Sequence, residues 1–305
     1  VCSSDLCLCF LFPPCPPFVI MSSSRFVRAS KFRHVFCEPV KSDLHYLDLE
    51  LSTTTGDHNY IKANEKFMSF AVRGGGGPVM VLKHSQCGKI GRSVPTLTGH
   101  TAAVTDTEWN PFNTHMLYTA SDDGTVKLWQ IPEDGVTERI TAAIGSMSGH
   151  GKTVTLLRAH PTANNVLASA GKDKTVRIWD VEKCESKIKL DTFGGFVQDL
   201  NWDYTGKLLA TSCKDKKMRI HDPRTDAAAT TFQAHEGGKA AKVLFLGQSE
   251  TVLTVGFTRQ SKRELKGWDP RKTDAPVFHK DIDQSAGVLM PFYDDDVRML
   301  YLAGK

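Results

Sequence analysis

Four residues between positions 100 and 129 have the types that could carry acid–base chemistry. His100 is followed by a hydroxyl at Thr119 or Ser121, a carboxylate at Asp123 and an indole at Trp129. A histidine, a hydroxyl and a carboxylate that meet in space can act as a nucleophilic triad. They can also form a buried hydrogen-bond chain, because a buried indole N–H needs an acceptor. Thr119 and Ser121 lie two apart and share a strand face, so these residues alone do not choose between them.

The same pattern returns fifty residues later, which bears directly on the choice between catalysis and structure. The histidine, the carboxylate and the indole recur in the same order at His150, Asp173 and Trp179. An active site is normally single and lies in a concave pocket, whereas this set is repeated and falls between strands. We therefore predict a structural role for both copies, no catalytic residues and no enzymatic activity.

The elements around these residues are those of a repeat array. In the first clear copy, two apolar strands are followed by an Asp123-Gly124 turn and a third strand that ends at Trp129. A third unit follows, in which His221 replaces the closing tryptophan, and a fourth ends at Trp268. Further strands begin at Asp281, and a degenerate unit covers residues 57–90. Because the third unit lacks the indole, we expect it to lack the full network and to be held by packing alone.

The Gly-His and Trp-Asp pairs at this spacing resemble the WD-repeat signature. That resemblance implies an all-β fold, a WD-repeat β-propeller whose four-stranded antiparallel blades circle a channel. The pattern of the family selects Thr119, rather than Ser121, as the hydroxyl of the first copy. The predicted structural network then consists of His100, Thr119, Asp123, Trp129, His150, Ser169, Asp173 and Trp179.

Composition narrows the remaining classes of function. The chain has 305 residues, 24% of them charged, and a formal net charge of +4, so the mild excess of positive charge does not indicate a nucleic-acid partner. The eight cysteines contain no Cys-x-x-Cys pair, which predicts neither a metal site nor a disulfide framework. No motif calls for a cofactor, because a strand rather than a helix follows the glycines 74–77.

The first twenty residues differ from the remainder of the chain. Their apolar run is too short to span a membrane, and it is broken by four prolines. Neither a basic start nor a small-residue cleavage site marks a signal peptide. We interpret 1–20 as a non-native or upstream-translated leader, with a targeting segment as the alternative, and expect it to be disordered. The propeller domain is then 21–305.

Several longer stretches resemble coronin, the actin-binding WD-repeat family. They are Val27–Phe36 (VRASKFRHVF), Trp129–Gly135, Lys214–Lys217, Asp222–Arg224, Val288–Asp294 (VLMPFYD) and Tyr301–Lys305 (YLAGK). The resemblance extends from Met21 to Lys305 with small gaps. It implies a seven-bladed propeller that binds filamentous actin without catalysis, regulates filament organisation and turnover, and lies in the cytoplasm at the actin cytoskeleton and cell cortex.

The actin contacts that follow from this resemblance are basic, because actin filaments are acidic. The candidates are Arg25, Arg28, Lys31 and Arg33, with Lys216 and Lys217 as a second patch. One departure is Glu50, which aligns with a basic family residue implicated in filament binding, and a carboxylate there would repel the filament.

The chain also stops before the family's last blades and coiled coil. We therefore expect about five to six blades, an incomplete ring with an unpaired strand edge, and a monomer. Contact with the actin-branching nucleator complex is implied only through those missing regions, with no nucleic-acid or integral-membrane partner. The alternative function is a WD-repeat scaffold for another complex, such as a ubiquitin ligase adaptor or a trafficking coat.

Overall fold

The computed structural model describes residues 8–11, 41, 44–54, 56, 58–91, 94–225 and 228–304. These residues form twenty-five β-strands and no α-helix, which confirms the predicted all-β class. Accordingly, the described part of the chain has no helix that is long and apolar enough to cross a bilayer.

Most strands belong to five four-stranded antiparallel sheets, which we number I to V along the chain. Two short strands, β1 (Leu8–Leu11) and β2 (Tyr46–Leu47), come before them. The next strands are β3 (Ile61–Ala63), β4 (Phe67–Ala71), β5 (Val79–Lys83), β6 (Gly88–Lys89) and β7 (Thr96–Leu97). Sheet I has the order β3-β4-β5-β7, while β6 pairs with β2 in parallel.

Sheets II to V each use four consecutive strands. Sheet II contains β8 (Val104–Trp109), β9 (Met116–Ser121), β10 (Thr125–Gln130) and β11 (Gly145–Ser148). Sheet III contains β12 (Val154–Ala159), β13 (Val166–Gly171), β14 (Val176–Asp180) and β15 (Glu185–Leu190). Sheet IV contains β16 (Val197–Trp202), β17 (Leu209–Cys213), β18 (Lys217–His221) and β19 (Ala228–Gln233). Sheet V contains β20 (Lys242–Phe245), β21 (Val252–Phe257), β22 (Arg263–Trp268) and β23 (Phe278–Asp283).

The first strands of successive sheets lie against one another. Strand β8 contacts β3 and β12, β12 contacts β16, and β16 contacts β20. The sheets are therefore arranged around a common centre, with their first strands innermost, as in a propeller. The second strands are buried almost throughout, whereas the outermost strand β15 alternates between exposed and partly covered residues. Small and apolar residues such as those of Leu209–Cys213 suit a strand that is covered on both faces.

The apolar core lies between neighbouring sheets rather than inside any one of them. Trp109 of sheet II stacks on Phe67 of sheet I, with ring centroids 5.8 Å apart. Leu156 and Ile178 of sheet III share a cluster with Leu200 of sheet IV. A single sheet could not bury such a face alone, so each sheet depends on its neighbours for stability.

Alternation of strand direction divides the connections between two faces. The turns between second and third strands lie at the same end as the loops that lead into the next sheet. We call this end the turn face. Gly124 adopts φ +80° in the turn of sheet II, and Lys174 and Lys216 take the same role in sheets III and IV with φ +65° and +67°. Positive φ is unfavourable for a lysine, so the turn geometry and not the residue determines this conformation.

The last strands are β24 (Leu289–Asp294) and β25 (Met299–Gly304), which pair antiparallel. Of residues 1–20 the structure describes only 8–11, which form β1 and pair antiparallel with β25, from Leu8 opposite Leu302 to Leu11 opposite Met299. Backbone hydrogen bonds to β1 satisfy the polar groups along this edge of β25, and the incomplete ring stays a prediction. The division of the chain into a leader, 1–20, and a propeller domain, 21–305, stays a prediction.

Candidate interaction surface

In sheet II, the four side chains of the predicted network form one chain of hydrogen bonds. The indole N–H of Trp129 donates to Thr119 Oγ1 at 2.9 Å, and Thr119 Oγ1 lies 2.8 Å from His100 Nε2. His100 Nδ1 lies 3.0 Å from Asp123 Oδ2. A carboxylate only accepts, so the imidazole proton is on Nδ1, and the Thr119 hydroxyl donates to Nε2. Ser121, the alternative hydroxyl, instead bonds to backbone carbonyls of Ala102 and Ala103.

Burial and hydrogen bonding set the charges of this network. Burial lowers the pKa of His100, although Asp123 acts in the opposite direction. Burial acts to raise the pKa of Asp123, but hydrogen bonds from Thr125 and Thr101, together with the electrostatic effect of His100, outweigh it and lower the pKa to about 2. The network therefore contains a neutral imidazole and an ionised carboxylate near neutral pH.

Sheet III repeats this geometry with a serine as the hydroxyl. Trp179 Nε1 donates to Ser169 Oγ at 2.7 Å, and Ser169 Oγ lies 2.7 Å from His150 Nε2. His150 Nδ1 reaches Asp173 Oδ2 at 3.0 Å. In both sheets the hydroxyl is fully buried and uses its proton and a lone pair inside the network. Such a hydroxyl is not placed to attack a substrate, which supports a structural role.

Sheet IV shows that our expectation of packing alone was wrong. Phe193 fills the space near His221, with ring centroids 5.3 Å apart, and no described histidine bonds to the turn carboxylate. Instead, Arg219 donates to Asp215 through both terminal nitrogens, at 3.2 and 2.5 Å, and lies over the ring of Phe193. Hydrogen bonds from Arg219 and Lys217 outweigh burial and lower the pKa of Asp215 to about 2. An ion pair thus replaces the histidine network.

Sheet V contains a third arrangement, which sequence reasoning missed. Trp268 donates to Thr254 at 2.9 Å, but His235 bonds to Glu264 Oε1 of strand β22 at 2.8 Å rather than to a turn aspartate. Lys266 Nζ lies 3.0 Å from the same oxygen. Thr254 could have been found from the register, because it lies opposite Lys266, two residues before the tryptophan.

A second group that sequence reasoning missed joins the sheets near the centre. Arg158 of β12 lies 3.2 Å from Asp199 of β16, and within 3.8 and 3.9 Å of Asp106 and Glu108 of β8. The carboxylate of Asp106 also accepts the backbone N–H of Leu157 at 2.9 Å. Burial raises the pKa of Asp106 to about 6, although nearby cations oppose this. The signal in the sequence is a charged residue inside a first strand, as in VTDTEW of β8, VTLLRA of β12 and VQDLNW of β16.

The turn face carries the two actin-contact candidates that the structure describes. Lys216 and Lys217 are both exposed at the turn between β17 and β18. Lys216 Nζ donates to the carbonyl of Glu236 at 2.8 Å, which connects this turn to the loop before sheet V. Further exposed basic residues occupy the same face on neighbouring turns and loops: Lys152, Lys172, Lys174, Lys214, Lys239 and Arg259.

Acidic groups on this face are largely engaged in the networks above. Asp123, Asp173 and Asp215 each accept several hydrogen bonds within their own sheet. Asp122 accepts a hydrogen bond from Thr153. These carboxylates keep their negative charge, but the basic side chains just named outnumber them, so the face presents a net positive surface.

The other four actin-contact candidates, Arg25, Arg28, Lys31 and Arg33, lie outside the described residues. Glu50 is described and exposed, and its backbone carbonyl accepts the N–H of Arg73 at 3.0 Å. The carboxylate of Glu50 therefore lies at the surface. That it repels an acidic partner stays a prediction.

A cleft of about 650 Å³ opens between sheets III and IV, away from the turn face. Its floor includes Ile178 and Trp179, and charged side chains such as Lys187, Lys207 and Arg224 line its edge. Among these, Arg224 is already paired with Asp222 at 2.7 Å.

Comparisons with known proteins define the class first. The family model described as "WD domain, G-beta repeat" matches residues 91–130, 142–180 and 185–222. A model described as "Domain of unknown function (DUF1899)" matches residues 25–89. A chain in the crystal structure of the Mitotic Checkpoint Complex superposes with a TM-score of 0.62 at 22% identity, covering 80% of this chain and 70% of that one, and this likeness concerns the fold alone. The protein is a WD-repeat β-propeller.

More similar proteins identify the family. The crystal structure of the WD40 domain from Toxoplasma gondii coronin superposes with a TM-score of 0.82 at 34% identity, covering 86% of this chain and 68% of that one. Coronin-A of Dictyostelium discoideum is 43% identical over 92% of this chain, and the coronin-like protein crn1 of Schizosaccharomyces pombe is 38% identical over 93%. The chain belongs to the coronin family. It spans 63% and 48% of the lengths of these two relatives.

Proposed function

We propose that this protein binds actin filaments without catalysis and thereby regulates filament organisation and turnover, in the cytoplasm at the actin cytoskeleton and cell cortex. The observation that carries the proposal is the positive turn face, on which Lys216 and Lys217 project next to the basic turns of sheet III. An acidic filament is the partner that such a surface would attract. Contact with the actin-branching nucleator complex belongs to the same proposal and rests on family membership.

The repeated networks support a binding role rather than an enzymatic one. Both His–hydroxyl–Asp sets are buried and use their polar atoms internally, so they stabilise the sheets that present the turn face. The turn lysines occupy rigid hairpins, which reduces the entropy lost when a partner binds. A rigid, positively charged face on a stable scaffold is suited to recognition of another protein.

Co-sedimentation of the protein with filamentous actin tests the proposal. We expect the wild type to pellet with filaments, and the double variant Lys216→Glu/Lys217→Glu to bind about tenfold more weakly, because reversing two exposed charges removes on the order of 1.4 kcal/mol. Rising salt should weaken the wild type and narrow this difference, since screening reduces exposed charge interactions.

The matched control reverses two exposed lysines on the opposite face, Lys207→Glu/Lys272→Glu, and should bind as the wild type does. A separate variant, Arg28→Glu/Lys31→Glu, tests the basic segment near the start of the chain. If the wild type does not pellet with filaments, actin binding is wrong and the alternative of a WD-repeat scaffold for another complex is favoured. If Lys216→Glu/Lys217→Glu and Lys207→Glu/Lys272→Glu weaken binding equally, the turn face is not the contact with actin.

A further inference from the structure

The hydrogen-bond network of sheet V continues to exposed side chains of the outermost strand, unlike those of sheets II and III. In those two sheets the carboxylate belongs to the turn and is used within the network. In sheet V the carboxylate is Glu264 of β22, and its second oxygen faces the outermost strand β23. Glu264 lies directly opposite Asp281 in the register, and Lys266 lies opposite His279.

Three potential ligand atoms meet at this point. His279 Nε2 lies 2.9 Å from Glu264 Oε2 and 3.2 Å from Asp281 Oδ1, and all three atoms are within 4.8 Å of one another. Tetrahedral ligands about 2.0–2.2 Å from a zinc ion are themselves roughly 3.3 Å apart. His279 and Asp281 are two residues apart on one strand, so both side chains project from the same face. Small side-chain movements would therefore place all three atoms around one ion.

The innermost of these ligands is already held in a single orientation. Glu264 is 3% exposed, and its other oxygen accepts hydrogen bonds from His235 Nδ1 at 2.8 Å and Lys266 Nζ at 3.0 Å. Outer hydrogen bonds of this kind fix a ligating carboxylate and are typical of built metal sites. This support is independent of the three ligand atoms, because it comes from the loop before β20 and from the interior of sheet V.

Ligand type and exposure indicate which ion would bind. One imidazole nitrogen with two carboxylate oxygens suits Zn²⁺ and similar transition metals better than Mg²⁺ or Ca²⁺, which prefer oxygen alone. His279 and Asp281 are 46% and 56% exposed, so solvent can reach the ion and supply a fourth ligand. Two carboxylates outweigh the single charge of Lys266, which leaves a negative site for a divalent cation.

We propose that Glu264, His279 and Asp281 form a binding site for a divalent transition-metal ion of the Zn²⁺ class on sheet V. The ion would cross-link β22 to β23 and so stabilise the outermost strand of this sheet. The proposal does not depend on actin binding, because it concerns a different sheet position and a different ligand.

Calorimetric titration of the chelator-treated protein with Zn²⁺ is the direct test. We expect one ion per chain with Kd in the micromolar range, and an increase in Tm when Zn²⁺ is present, because a ligand that binds only the folded state stabilises it. The variants His279→Gln and Asp281→Asn should each weaken binding at least about tenfold, by comparison with losses of 10–100-fold for outer partners of metal ligands. His84→Gln and Asp274→Asn are matched controls at exposed positions outside the cluster, and should bind as the wild type does.

A measurement on the wild type keeps the test decisive if a variant does not fold. Diethylpyrocarbonate modifies accessible imidazoles, and mass spectrometry locates the modified residue. Zn²⁺ should protect His279 and leave the exposed His84 reactive. The proposal is overturned if no Zn²⁺ binds up to the millimolar range, if the His279 and Asp281 variants retain wild-type affinity, or if Zn²⁺ gives His279 no protection.

Discussion

Sheets II and III both complete their polar networks with a histidine, a hydroxyl, an aspartate and a tryptophan, whereas sheet IV pairs its turn aspartate with an arginine. All three place an aspartate in the turn after the second strand, and in each a buried donor satisfies it. That donor is His100 or His150 in the first two sheets. In sheet IV it is Arg219, which lies in the position of Lys127 and Arg177 in the other sheets.

The difference shows which requirement is general. The turn aspartate must keep a donor when it is partly buried, because an unpaired carboxylate is costly. Its donor can come from the preceding loop or from the third strand. Where Phe193 takes the space of the loop histidine, the guanidinium of Arg219 lies over the ring and reaches Asp215 instead. Repeats of this fold thus tolerate loss of the signature residues when charge pairing is restored.

The largest expected effect on stability comes from removing the central hydroxyl of sheet II. It distinguishes the histidine network of sheet II from the ion pair of sheet IV. Thr119→Val removes the acceptor of the Trp129 indole and the donor to His100 together. Each buried group left without a partner costs about 1–3 kcal/mol, so we expect a loss of about 3 kcal/mol in the free energy of unfolding, measured with urea.

Thr211→Val in sheet IV is the matched control for that substitution. Both threonines are fully buried, but Thr211 Oγ1 makes only a 3.3 Å bond to the carbonyl of Arg219. The expected loss is below about 1 kcal/mol, because the carbonyl retains its place in the strand ladder. Similar losses for the two variants would contradict the distinction between the sheets.

A smaller effect is expected when the ion pair of sheet IV is broken. Arg219→Met keeps much of the apolar stem but leaves Asp215 without its main partner. We expect a loss of about 2 kcal/mol in the free energy of unfolding. This is less than for a fully buried ion pair, because the Asp215 side chain is 18% exposed. Differential scanning calorimetry would measure the loss. Arg177→Met in sheet III is the control, because Arg177 makes one side-chain bond to Ser186 and His150 serves the aspartate there. If Tm falls equally in the Arg219→Met and Arg177→Met variants, Arg219 has no special role in sheet IV.

The smallest expected effect is a change in stability with pH, and it depends on the ionisation of Asp123. Its folded-state pKa of about 2 lies below the usual value of about 3.9, so its ionisation stabilises the fold above pH 4. That contribution is lost as the pH falls from about 4 to 2. The stability difference between wild type and Asp123→Asn should therefore narrow as the pH falls from about 4 toward 2 in urea titrations. A gap between wild type and Asp123→Asn that stays constant down to about pH 2 would refute the assignment.

Local spacing was sufficient for the networks of sheets II and III but not for sheet V. Thr119 and Ser169 each precede the tryptophan by ten residues, within a tight hairpin whose length is the same in both sheets. Thr254 precedes Trp268 by fourteen, because the hairpin between β21 and β22 is longer. The strand register keeps the hydroxyl opposite the residue two before the indole, so the spatial relation is retained while the sequence interval changes.

The sequence by itself determined the repeat period, the strand content, the turn positions and the family, because each depends on residues close together in the chain. Only the tertiary structure decided that Arg158 joins the carboxylates of two other strands, β8 and β16, and that Glu264 faces His279 rather than a turn. These contacts link different sheets or an outer strand to an interior one. Their geometry depends on how far apart the packed strands lie and on which rotamer a neighbouring side chain leaves open, and neither is encoded in a local pattern.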